Sequence, residues 1–319
     1  MAKDKAEPDK QKEKLKPALL FLRDAGIAMA FVASILLAMY AYTGLWPPLV
    51  VVESESMMHS DDNISYLGAI DTGDLVLVKD VDSVGDIETY MEGVSSKHKT
   101  YGDFGDVIIY KKSGLDTYTP IIHRAMVYLE WNPDTDGYMC EALQRAPSDK
   151  WSTSDPDDTW DDLTSTLTIF NVGYRSQSVY IDIGRIISDS RGTNGFITKG
   201  DHNTAIDQSQ GVSRPVDITW VVGKARGEIP WFGLLKLWFT DSLASPAPAN
   251  SVRNLYISLA LIIVAPIAAD VLLTYRIRKK IARRRAQAEE ELRKEKEQAA
   301  KAAPVAPDSP ATGEPPKTA

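Results

Sequence analysis

The sequence predicts a mainly β domain anchored by an N-terminal and a C-terminal transmembrane helix. Three observations predict it: a 28-residue uncharged run from Ala25 to Val52, a second apolar run from Leu255 to Tyr275, and, between them, short β-branched segments punctuated by Gly, Asp, Pro and Ser. The chain has 319 residues, 36 basic and 44 acidic, for a formal net charge of −8. That length suits one large domain or two ordinary ones, and a hydrophobic content of 44% excludes wholesale disorder. The overall acidity argues against a nucleic-acid partner, because phosphate contacts need a basic face. The lone cysteine, Cys140, excludes a disulfide framework and a cysteine-based zinc site.

Residues 1–17 read as a cytoplasmic basic tail, with Lys3, Lys5, Lys10, Lys12, Lys14 and Lys16. The first crossing is assigned to 18–46. A helix needs about 20 apolar residues to cross hydrocarbon, and Pro47-Pro48 closes the run. A cleavable signal peptide would have a shorter apolar core followed by small-x-small residues. The second crossing, 254–275, contains Pro266 and one acid, Asp270, near its end and close to Arg276. A buried soluble helix is the alternative there, but an acid near a helix end can reach the interface. Arg276, Arg278, Lys279, Lys280, Arg283, Arg284 and Arg285 follow. The positive-inside rule then puts both termini in the cytoplasm and residues 47–250 outside, as in a two-pass protein of the cell membrane. A charged helix is expected over 276–302 and a disordered tail over 303–319, where the composition cannot form a core.

The external part holds 31 acids against 16 bases between residues 46 and 250. Its expected strands are LVVVES (49–54), DLVLVKDV (74–81), GDVIIYKK (105–112), PIIHRAMVYLEW (120–131), SVYIDIGRIIS (178–188), GFITKG (195–200) and VDITWVVGKARG (216–227). No helical period of useful length is evident between 49 and 225. Residues 132–177 are acidic and turn-rich, an insertion in the sheet. Its Asp155, Asp157, Asp158, Asp161 and Asp162 lack the spaced calcium-loop pattern and read as a solvated loop. The segment PWFGLLKLWF (230–239) suits either a stretch lying among lipid headgroups or aromatics packed in the core.

Four histidines are present: His59, His98, His123 and His202. His98 lies in a polar stretch and reads as exposed. His123, inside the apolar PIIHRAM, is taken alone most often a satisfied core residue. VVESESMMHSDD follows the first crossing at once, and TKGDHNTAIDQ (198–208) carries Asp201 and Asp207 around a Gly-Asp turn. A serine nucleophile needs a base, an orienter for that base and donors for the oxyanion. Each segment on its own is an ordinary strand end or turn.

In this order, a span, Ser-x-Ser-Met, GDVIIY, a strand-borne His-Arg and Gly-Asp-His-Asn with a second Asp six residues on together resemble the type I signal peptidases. The likeness is to the archaeal and endoplasmic-reticulum branch, which uses histidine where the bacterial branch uses lysine. It covers about residues 18–227 outside the insertion, and DTGDLVLVK (71–79) adds a matching strand. The resemblance implies a signal-peptidase-like β catalytic domain with Ser56 as nucleophile, His123 as general base, Asp207 as orienter and Asp201 supporting the same turn. The Ser56 N–H, with the Ser54 hydroxyl, would bind the oxyanion. It implies no cofactor and no metal. The implied partners are signal peptides of secretory precursors and the lipid bilayer, with the protein translocation channel left open. His59 stands where the family usually has proline, and His202 where asparagine is frequent. His59 is thus a rival base. Two other readings stand beside it: a membrane-anchored sensor or adhesion domain, and a metal-dependent hydrolase using His59, Asp61, His123 or His202, whose spacing lacks a close ligand pair.

Overall fold

Residues 8–156 and 159–302 are described by a computed structural model. Lys3, Lys5, Asp157, Asp158 and the tail 303–319 lie outside the described residues. The chain divides into two compact units, one ending at Leu255 and the other beginning at Tyr256.

The first unit opens with helix α1 (Pro8–Thr43), so most of the expected tail continues into the helix. The helix stops at Thr43, before the prolines. Gly44, at φ +75°, adopts the left-handed conformation that ends helices, and its N–H bonds Tyr40 O at 2.8 Å. There follow β1 (Leu49–Val51), β2 (Leu75–Lys79), α2 (Tyr90–Ser96), β3 (Lys99–Thr100), β4 (Asp103–Phe104), β5 (Val107–Tyr110), β6 (Ile121–Asn132), β7 (Gly137–Met139) and α3 (Glu141–Arg145). Next come β8 (Trp151–Thr153), β9 (Thr166–Val172), β10 (Gln177–Asp182), α4 (Ile183–Ser190), β11 (Gly195–Lys199), β12 (Val221–Ile229), α5 (Gly233–Thr240) and the start of α6 (Ala249–Ala302).

The large antiparallel sheet runs β1-β2-β12-β5-β6-β11, with β7 on β6. A three-stranded sheet, β10-β9-β8, forms the insertion, and β3-β4 is a two-stranded ribbon. This three-stranded sheet packs on the core, while Asp161 and Asp162 of the acidic segment before β9 are exposed. Leu167, Ile169, Val179 and Ile181 share a buried cluster with Met126, Val127 and Leu129 of β6. The described elements therefore make a mixed domain of sheets and short helices.

Two local corrections have clear causes. SVYIDIGRIIS is not one strand: the Asp182 carboxylate accepts the Arg185 N–H at 2.9 Å and caps α4, which begins one residue later. Helix α2, absent from the expectation, is set by a capping box in which Thr89 N–H bonds Glu92 Oε2 at 2.7 Å. At 7 residues, α2 is too short to show a period. Within 230–239, Leu234 and Leu237 of α5 are buried, as the core reading expects, while Phe239 is 91% exposed. His98 is only partly exposed, and its Nε2 lies 2.9 Å from Asp106 Oδ1.

Among the described residues, two helices are long and apolar enough to cross a membrane. One comprises the 25 residues Leu19–Thr43, the other the 50 residues Ala249–Gln298. At 1.5 Å per residue the shorter reaches about 37 Å, more than the ~30 Å hydrocarbon core. The most apolar stretch of each is wholly unburied. The expected second crossing and charged helix are one continuous helix, with Pro266 inside it.

Candidate active site

Strand alternation builds the first cluster. Pairing sets Tyr110 opposite Ile121 and Ile108 opposite His123, so Tyr110 and His123 project from one face of the sheet. An irregularity in the β6–β11 register sets Thr198 opposite Ala125, on that same face. All three side chains converge on Asp207, whose N–H is fastened to Thr198 O at 2.9 Å. Asp207 Oδ2 lies 2.7 Å from His123 Nδ1 and accepts the Tyr110 hydroxyl at 2.7 Å and the Thr198 hydroxyl at 2.6 Å. Asp207 is fully buried. Burial opposes its ionisation, but the His123 imidazole and the two hydroxyls outweigh that and hold the carboxyl below its usual range. A carboxylate at Nδ1 directs a proton to that nitrogen and leaves Nε2 as the basic atom.

His123 and Ser56 line one cavity of about 310 Å³, together with Val51, Glu53, Met57 and Ile122. Met57 and Met58 are 1% exposed and root the serine segment in the fold beneath it. Gly200 closes the space between serine and histidine. A Cβ there would lie 2.5 Å from Ser56 O and 2.9 Å from His123 Nε2, so only glycine allows that approach. Ser56 Oγ lies 3.2 Å from Ser54 Oγ, and among the described residues no hydrogen bond joins it to His123. The Ser56 N–H is likewise without an acceptor among the described residues, and is free to donate to another group.

Arg124 follows His123 on the strand and so projects from the opposite face, where it meets Asp201. Its Nε donates to Asp201 Oδ1 at 2.8 Å and its Nη2 to Asp201 Oδ2 at 2.6 Å. His59 Nε2 is 2.8 Å from the same Oδ2. Burial opposes ionisation of Asp201, but Arg124 and then His59 prevail and hold its carboxyl well below the ordinary carboxylate range. Thus Ser54, Ser56 and His123 line one cavity, with Asp207 buried against the imidazole, whereas Asp201 belongs to a separate Arg124–Asp201–His59 cluster. The rival base His59 is engaged there. Sequence reasoning gave no individual role to Tyr110, Thr198, Gly200 or Arg124. Two of them carried a signal, Arg124 in the His-Arg pair and Gly200 in Gly-Asp-His-Asn.

Neighbouring Lys199 is 2% exposed, and its Nζ donates to Gly200 O at 2.9 Å. Burial pushes its pKa down to about 8, against the pull of Asp201. It thereby ties down the turn between the two clusters. No protein-family model, curated protein or solved structure matches the chain.

Proposed function

We propose that the chain is a membrane-bound serine endopeptidase that removes signal peptides from secretory precursors at the outer membrane surface. One observation carries the reading: His123 is held by buried Asp207 through Nδ1, beside a cavity that Ser56 also lines. In this reading the Ser56 hydroxyl turns from Ser54 toward His123, a tightening common when substrate fills a site. Ser56 Oγ attacks the scissile carbonyl carbon as His123 Nε2 takes its proton. The oxyanion accepts the Ser56 N–H and the Ser54 hydroxyl. Collapse breaks the C–N bond, and imidazolium returns the proton to the leaving amine. Water, deprotonated by His123, then attacks the acyl carbon; the bond to Ser56 Oγ breaks, and the imidazolium returns the proton to that oxygen.

Placement supports the same task. Ser56 follows the apolar helix ending at Thr43 after a single short strand, so a precursor whose apolar segment lies in the bilayer would present its cleavage site nearby. Strand β1 is the edge of the large sheet, where an extended peptide can add by backbone hydrogen bonds. Both termini would then be cytoplasmic and the sheet domain extracytoplasmic.

A membrane-anchored sensor or adhesion domain is the competing reading, favoured by the Ser56–Ser54 contact in place of a Ser56–His123 bond. Vesicles carrying the full-length chain discriminate between the two. The peptidase reading expects a signal-bearing precursor to be cut after a small residue, with His123→Ala inactive and a chelator without effect. An uncut precursor with wild-type protein favours the binding domain, and chelator-sensitive cutting the metal hydrolase.

A further inference from the structure

The insertion sends its β9–β10 turn back across the segments that follow Ser56 and Gly200. Tyr174 donates its hydroxyl to Asp61 Oδ1 at 2.8 Å, and the Tyr174 hydroxyl oxygen lies 3.0 Å from His202 Nδ1. Arg175 Nε donates to Asp61 Oδ1 at 2.9 Å and its Nη1 to His202 O at 2.6 Å, while Nη2 also pairs with Asp61. The Tyr174 ring stacks on His59, with centroids 5.3 Å apart and planes at 21°. His202 N–H in turn donates to Ser56 O at 2.9 Å. One tyrosine and one arginine thus join the 59–61 segment to the 200–203 turn, and the turn to the serine peptide itself.

We propose that Tyr174 and Arg175 are positioning residues that, through His202, hold the Ser56 peptide in register with His123. The proposal deepens the peptidase reading and rests on Ser56 being the nucleophile. Asp61 and Arg175 keep side-chain exposures of 62% and 27%, and an ion pair so exposed contributes little to global stability. What the pair supplies is geometry: the planar guanidinium reaches a carboxylate and a carbonyl on two different segments at once, which an ammonium cannot reproduce. Misplacement of a nucleophile by about 1 Å is enough to cost about a hundredfold in rate.

Full-length wild type, Arg175→Ala, Arg175→Lys, Tyr174→Phe and Ser56→Ala, all in vesicles, supply the test. The readouts are kcat and KM on a signal-bearing precursor, melting temperature, and amide hydrogen exchange at His202. Expected for Arg175→Ala are a kcat at least tenfold lower, a KM within twofold, an unchanged melting temperature and His202 exchange at least tenfold faster. Arg175→Lys should restore little, and Tyr174→Phe should fall between. Unchanged kcat and exchange in Arg175→Ala overturn the proposal, as does a kcat loss that only tracks a lowered melting temperature. A wild type that leaves the precursor uncut, yet shows the exchange difference, removes the peptidase reading while the tether stands.

Discussion

Asp207 Oδ2 takes the His123 ring and two hydroxyls, while Oδ1 is buried without a hydrogen-bond partner among the described residues. Such concentration on one oxygen fixes the imidazole in direction, and in the proposed mechanism the carboxylate would offset the charge the ring takes on from Ser56. Asp207→Asn keeps the volume but removes that charge and offers Nδ1 an amide. We expect its kcat to drop by roughly 10²–10⁴-fold with KM little changed, as read from initial rates on a precursor. Equal rates in variant and wild type would strip Asp207 of this role. The sequence was informative here about which residues lie near one another and less so about how they divide. Ser56, His123 and Asp207 are legible as a set, whereas nothing in the sequence shows that Asp201, read as supporting the same turn, bonds Arg124 and His59. One residue of strand separates His123 from Arg124, so their partners fall on opposite faces. Only a known register reveals that.

The turn from Asp71 to Asp74, which leads into β2, stores a pH dependence. Asp74 Oδ1 accepts the Trp231 N–H and Oδ2 the Asp71 N–H, both at 2.9 Å. Burial outweighs these bonds and, with the nearby acids Asp71 and Glu228, pushes the Asp74 pKa up to about 7. A carboxyl raised in the fold adds stability below its unfolded value of about 3.9 and loses it as pH rises through the folded value. Between pH 5 and pH 8 the wild type should therefore lose more melting temperature than Asp74→Asn, measured on detergent-solubilised full-length chain. Parallel melting curves for the two proteins across that interval would remove the effect. Elements differed in how well they could be anticipated. Strand β6 announces itself through 12 residues rich in apolar side chains, whereas β8 has 3 residues, Trp-Ser-Thr, and depends on β9 for its existence. Short helices α2 and α4 are decided by their caps, a signal that a search for periodicity passes over.

For the whole chain, two long apolar helices bracket a folded domain, and charge is distributed accordingly: basic flanks beside both helices, acids between them. Their presence was legible because uncharged length is a coarse property, readable without tertiary contacts. Cys140 is fully buried, so a single introduced cysteine reports on its own side of the membrane. In intact cells, an impermeant maleimide should label Leu67→Cys and should reach Ala286→Cys only after permeabilisation. The reverse pattern would invert the orientation and place Ser56 where no emerging precursor could meet it.

The central claim is that the Ser56 hydroxyl performs the attack, and its removal is the most direct measurement. Wild type and Ser56→Ala are reconstituted at equal yield, given the same signal-bearing precursor, and the products identified by mass. The account predicts a shortened precursor, cut after a small residue, from wild type and intact precursor alone from Ser56→Ala. Mature product from Ser56→Ala at the wild-type position would contradict it.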